Sequence, residues 1–179
     1  MRIFFLEDNP KVIDVISYLR DNGHTVCHAS NLKDAACRLE LVPGADTFEL
    51  FLFDVGIPAE NVRHLKNKRG SVAYANAMGF NGLLFLLHNI DLLCNHIERV
   101  SIVTAHRKQI MDMGSIDVFG RGFEQQNLSE KAEENRVIRE QVPKIQYRAV
   151  DTGQVYTFSF LDKGGDNLIP QIEKFISKG

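Results

Sequence analysis

The sequence has little of what would take it outside the ordinary run of folded domains. It holds only three cysteines, Cys27, Cys37 and Cys94, far apart and in or beside apolar runs. An odd number with no CxxC or Cys/His spacing argues against a disulfide framework or a zinc site, and is what a reducing cytoplasm leads one to expect. There is no excess of one charge: the formal net charge is −2, so no global field favours nucleic acid or an anionic membrane. Long hydrophobic runs are missing too. The longest, Gly82–Leu87, falls far short of the ~20 residues a membrane-spanning helix needs. The first residues, MRIFFLEDNP, meet acids too early for a signal peptide. No repeat or low-complexity tract appears. What remains is 179 residues, 44% hydrophobic and 25% charged, which predicts one domain over 1–179 carrying insertions.

The order of apolar runs predicts an α/β fold. Arg2–Leu6 is a short apolar run that ends in Glu7-Asp8-Asn9-Pro10, a strand followed by an acidic pair and a proline suited to a first helical turn. Val12, Ile13, Val15, Ile16 and Leu19 then share a helical face, and Asn22-Gly23 stops it. Thr25–Ala29 reads as a second strand. Asn31 opens a second helix with Asp34 at the capping-box position, Leu32, Ala35, Ala36 and Leu39 facing inward, and Pro43-Gly44 ending it. Leu50–Phe53 runs without a break into Asp54, the pattern of a strand buried on both faces. This β-α-β-α-β succession implies parallel strands with right-handed crossovers.

Residues 59–80 read as a surface insertion with a helical turn. Arg63, Lys66, Lys68 and Arg69 make it basic, which suits either plain solvation or an acidic or phosphate partner. An apolar helix follows from Asn81, then a fourth strand, Glu98–Thr104, and a short helix from His106 to about Met113. Asn127–Glu130 resembles a capping box that opens a polar surface helix to about Gln141. Lys144–Val150 and Gln154–Leu161 alternate like the strands of a hairpin around Asp151-Thr152-Gly153. Lys163 follows the second of them. A last helix carries Leu168, Ile169, Ile172, Phe175 and Ile176.

Function in open α/β sheets collects beyond the carboxyl ends of strands. There the sequence places Glu7, Asp8, Asp54, Thr104 and Lys163. Three neighbouring carboxylates call for a cation, and hard oxygen donors suit Mg²⁺. A hydroxyl and an ammonium opposite would hold phosphate oxygens. Asp54 is then a carboxylate nucleophile for a phosphoryl group.

These stretches resemble the receiver domain of two-component response regulators. LEDNP at Leu6–Pro10 is similar to the family's acidic-pair motif, and FDVGIP at Phe53–Pro58 to its phosphoacceptor strand. Phe80–Leu86 resembles the opening of the third helix, and IVTAH at Ile102–His106 the fourth strand with its switch threonine. Lys163 matches the family's lysine, and Phe160 the position of its rotating aromatic. The resemblance implies a doubly wound five-stranded parallel sheet, flavodoxin-like with order 2-1-3-4-5, with an inserted helix and an extra antiparallel edge strand.

The resemblance further implies that Glu7, Asp8, Asp54 and the Gly56 carbonyl hold Mg²⁺. Asp54 takes phosphate from a sensor histidine kinase or phosphotransfer protein, Thr104 and Lys163 bind the phosphoryl oxygens, and Thr104 and Phe160 form the switch. It implies a cytoplasmic signalling protein rather than an enzyme, with no direct DNA binding, no membrane and pairing into a homodimer. The chain departs from the family by insertions at 59–80 and 114–153, and by Gly164 where a proline is usual.

A rival alignment makes Ile116–Phe119 the fifth strand and puts Arg121 in place of Lys163. Two other functions stay open. One is a receiver-like interaction module that does not use phosphate. The other is a metal-dependent phosphatase or cyclic-phosphate-processing enzyme drawing on His64, His88, His96 and His106, against which Gly56 stands where such phosphatases want a second aspartate.

Overall fold

The computed structural model describes residues 1–40, 47–64, 70–126, 144–163 and 168–177. The chain forms two compact units, Met1–Ile102 and Val103–Gly179.

The first unit is built on β1 (Arg2–Leu6), β2 (Thr25–Ala29) and β3 (Leu50–Asp54), with β1 central and parallel to both neighbours. All five residues of β3 are buried. That is why its sequence is a continuous apolar run: neither face meets water. Phe4 of β1 packs between Phe48 and Phe53, each with ring centroids 5.5 Å away. A fourth strand, β6 (Val100–Thr104), follows β3 in the order β2-β1-β3-β6, and the boundary between the units falls inside it.

Helix α1 (Ile13–Asp21) is preceded by a 3-10 turn at Pro10–Val12, which Asn9 caps through its side chain. Its buried face is Ile16 and Leu19 with Val12 ahead of them. Ile13, expected inward, is 60% exposed because the 3-10 turn rotates it off the stripe. In α2 (Leu32–Glu40) Asn31 caps as expected, accepting from the Asp34 amide at 2.8 Å. The Asp34 carboxylate pairs with Arg38, at 2.9 Å. Pro43-Gly44 lies outside the described residues.

The insertion is not the helical turn expected of it. It forms an antiparallel pair, β4 (Glu60–Arg63) and β5 (Ser71–Tyr74), a sheet of its own. Val62, His64 and Tyr74 are buried by it, so it is bound down rather than a solvated loop. Lys66, Lys68 and Arg69 lie outside the described residues. The apolar helix after it divides into α3 (Asn81–His88) and α4 (Ile90–Leu93) at Asn89, and a 3-10 stretch leads on to β6.

The second unit carries the antiparallel order β10-β9-β8-β7. Its strands are β7 (Ser115–Val118), β8 (Arg121–Gln126), β9 (Lys144–Ala149) and β10 (Val155–Asp162). Eight strands therefore take part where five were expected, and β10 has an antiparallel neighbour in β9. The extra strands come from residues 114–153, whose alternating patterns suit antiparallel pairing. The β9–β10 hairpin was legible: its turn at Asp151–Gly153 closes with Gly153 at φ 71° and its amide donating to the Ala149 carbonyl at 2.8 Å. Along β10 the burial changes from alternating to continuous over Phe158–Leu161, as one wet face becomes covered. Helices α5 (Arg107–Met111) and α6 (Leu168–Ile176) complete the unit, the latter burying Leu168 and Ile172. Residues 127–141, read as a polar helix, lie outside the described residues, as does Gly164.

Candidate functional site

Two groups of the expected residues come together, one in each unit. In the first unit Glu7 follows β1, and its Oε1 accepts from the Asn9 amide at 2.9 Å. Its own backbone is tied to β2: the Glu7 amide donates to the Ala29 carbonyl at 2.9 Å, and the Glu7 carbonyl meets His28 Nε2 at 2.8 Å. Asp54 closes β3, where its Oδ1 accepts from the Gly56 amide at 3.0 Å. Glu7, Asp8 and Asp54 each offer a carboxylate oxygen within 4.8 Å of the others. Glu7 and Asp54 are buried while Asp8 is exposed, so the cluster has a covered floor and an open side.

Carboxylates this near repel. Two unit charges at 4 Å cost about 4 kcal/mol where the effective dielectric constant is about 20. A divalent cation reverses that sign. The donor set is three carboxylates without nitrogen or sulfur among them, which fits a hard ion such as Mg²⁺. Gly56 keeps room beside Asp54, since a β-carbon there would lie 3.6 and 3.9 Å from its two carboxylate oxygens. The other wall is α3. Gly82 sits against the Asp54 carbonyl, and its amide donates to the Val55 carbonyl at 3.1 Å. Asn81, 2% exposed, donates to the Ile57 carbonyl at 2.8 Å and so ties down the loop after Asp54.

In the second unit Thr104 is buried at the end of β6, its Oγ1 accepting from the His106 amide at 2.9 Å. The Lys163 amide donates to the Thr104 carbonyl at 3.1 Å. Of the two candidate fifth strands, β10 is thus the one whose following residue meets Thr104. The stretch at Ile116–Phe119 instead contributes to β7, paired antiparallel with β8. Arg121 opens β8, 3.3 Å from an Asp151 carboxylate oxygen and over the Phe123 ring at 5.3 Å. Phe160 is 2% exposed, with the Arg107 guanidinium 5.9 Å from its ring centre.

Comparison with known proteins adds little. No family model matches the chain, and no curated protein matches it. Among solved structures it is similar to the bacteriophytochrome response regulator AtBRR. That likeness has 16% identity, covers 98% of this chain and 89% of that one, and has a TM-score of 0.46. Among the described residues, no helix is long and apolar enough to cross a membrane.

Sequence reasoning missed a second polar cluster in the first unit. His64 Nδ1 meets Glu40 Oε1 at 2.7 Å, and His64 Nε2 meets the Tyr74 hydroxyl at 2.7 Å. That hydroxyl also meets His88 Nδ1 at 2.5 Å. His64 and Tyr74 are buried, and the two imidazole centres stand 5.1 Å apart. Burial first, then the neighbouring His64, pushes the His88 pKa below its usual value. Burial likewise pushes the Tyr74 hydroxyl up. The four residues come from α2, the residue after β4, β5 and α3, with no short spacing to betray them. His96 lies tilted against Phe51, at 5.7 Å between ring centres, and His106 precedes α5.

Proposed function

We propose that the chain is a phosphoacceptor receiver of a two-component or phosphorelay system. The observation that carries this reading is the carboxylate trio: Asp54 at the end of a fully buried strand, with Glu7 and Asp8 brought within 4.8 Å of it. In this reading an Asp54 carboxylate oxygen attacks the phosphorus of a phosphohistidine on a histidine kinase or phosphotransfer protein. The P–O bond forms as the P–N bond breaks, and the imidazole keeps the electron pair. Bound Mg²⁺ would offset charge on the carboxylates and the transferred group. Glu7, Asp8, Asp54 and the Gly56 carbonyl would hold it. The Gly56 amide orients Asp54, while Thr104 and Lys163 take the phosphoryl oxygens. Thr104 and Phe160 then act as the switch. The protein signals through contact with a protein partner rather than through DNA, a membrane or turnover of a substrate, and works in the cytoplasm.

A second reading, a receiver-like module that binds its partner without phosphate, is favoured by the β4–β5 hairpin that follows directly on Pro58. One experiment separates the two. The protein is incubated with a small acyl phosphate donor and Mg²⁺ and followed by intact mass. The phosphoacceptor reading expects one added phosphoryl group, labile to hydroxylamine and absent from Asp54→Asn. No adduct on the wild type, or one that persists in Asp54→Asn, overturns it.

A further inference from the structure

The β4–β5 hairpin is fastened at both ends of two helices. Along α2, Glu60 Oε2 accepts from the Leu32 and Lys33 amides at 2.8 and 3.2 Å at the helix start, and His64 meets Glu40 at its end. Along α3, the Asn76 amide donates to Asn81 Oδ1 at the helix start, and Tyr74 meets His88 at its end. The two corners at the helix C-termini share one hydrogen-bonded chain, Glu40–His64–Tyr74–His88. From the geometry of this chain we propose that it is a proton-operated latch, which holds the hairpin on α2 and α3 and lets it go when both imidazoles are protonated.

Proton counting carries the argument. With Glu40 ionised, His64 Nδ1 carries the hydrogen it donates to the carboxylate. If both rings are neutral, Tyr74 donates to His64 Nε2 and accepts from His88 Nδ1–H. One added proton is accommodated. His64 becomes an imidazolium against Glu40 and donates from Nε2 to the Tyr74 oxygen, and Tyr74 turns its hydrogen to His88 Nδ1. Three bonds survive in either state, and the single positive charge has a carboxylate partner. A second proton does not fit. Both rings would then donate to the Tyr74 oxygen, the hydroxyl hydrogen would have no acceptor left in the chain, and two like charges would stand 5.1 Å apart.

Among the described residues, the ionisable groups meeting at this point are Glu40 from α2, His64 after β4, Tyr74 from β5 and His88 from α3. Glu40 and His88 are both half-buried as residues, but the Glu40 side chain is 4% exposed, so His88 is the door through which the proton enters. The sign follows from its depressed pKa. The released form binds the proton more tightly than the latched form. The latch is therefore fully closed above the ordinary histidine value of about 6.5, and it loses hold as the pH falls below that value toward the depressed one. The inference does not depend on the phosphoacceptor reading.

The test is amide hydrogen exchange on the whole protein from pH 7.5 to 5.0, corrected for the intrinsic rate. Protection of Val62, Val72 and Tyr74 is expected to fall with pH, by up to about tenfold per unit for one proton. Phe4 and Leu52 in the sheet hold theirs. His88→Gln, which cannot take the proton, is expected to flatten the dependence. Tyr74→Phe lowers hairpin protection at every pH. A merely structural cluster would move the level in His88→Gln and leave the slope.

A flat wild-type profile, or an unchanged slope in His88→Gln, overturns the proposal. Should that variant fail to fold, the wild-type imidazole resonances decide. The latch expects the His88 resonances to titrate below the ordinary histidine value, and a midpoint at or above that value overturns it.

Discussion

Gly82 lies so close to Asp54 that a β-carbon at residue 82 would stand 2.0 Å from the Asp54 carbonyl oxygen. The atom it would strike is backbone, which cannot swing aside. Gly82→Ala therefore has to part α3 from the end of β3. We expect a loss of about 3 kcal/mol or more, at the upper end of overpacking costs, read by urea unfolding. Gly56→Ala is the contrasting case. Its β-carbon would meet the Asp54 carboxylate at 3.6 Å, ordinary contact. Stability should change little while Mg²⁺ affinity falls.

The acidic trio predicts opposite effects on stability and binding. Asp54→Asn removes one of three charges held within 4.8 Å. In metal-free buffer the variant should be more stable than the wild type by on the order of 1 kcal/mol, a Tm rise of about 2–4 °C. Added Mg²⁺ should raise the wild-type Tm and leave that of the variant nearly unchanged. Thermal scans with and without a chelator check both halves.

Glu60 caps a helix it does not belong to. Its carboxylate serves two amides of the first turn of α2 and lies 3.7 Å from the Lys33 ammonium. Glu60→Ala should cost about 1–2 kcal/mol through loss of the cap and of the charge at the helix start. The Lys33 pair, with a largely exposed partner, contributes little to that figure. Chemical unfolding of Glu60→Ala beside Lys33→Ala separates the two contributions.

Tyr147 is fully buried in the second unit, and its hydroxyl has no hydrogen-bond partner among the described residues. Burial pushes its pKa up. Tyr147→Phe keeps the ring against Phe158, at 6.3 Å between centroids, and removes the stranded group. The variant should be as stable as the wild type or more so by about 1 kcal/mol, and a calorimetric Tm below that of the wild type would show the hydroxyl to be satisfied.

Parts of this molecule could be read directly. The runs Arg2–Leu6 and Leu50–Asp54 announced β1 and β3 because a parallel strand covered on both faces has no polar side to show. The Asn31 cap was legible because its partner lies three residues on in the chain. The insertion was misread for the opposite reason. Its strands are four residues each, too short for periodicity to separate strand from turn, and what holds them is remote. Ile116–Phe119 offered a rival fifth strand because its spacing from Thr104 is short and Ile116 and Val118 alternate as an edge strand does. Only the pairing with β8 shows where that strand belongs.

The sequence by itself determined the buried strands of the first unit and the acidic residues that end them. Apolar runs specify burial locally, and a carboxylate at the end of such a run is carried to the strand terminus with it. Only the tertiary structure decided that Glu7, Asp8 and Asp54 share one space, that Gly82 closes on the Asp54 backbone, and that Glu40, His64, Tyr74 and His88 join in one chain. Each of these depends on where separate elements cross, and the free energy that sets those crossings is packing summed over the whole unit, which no single stretch of sequence contains.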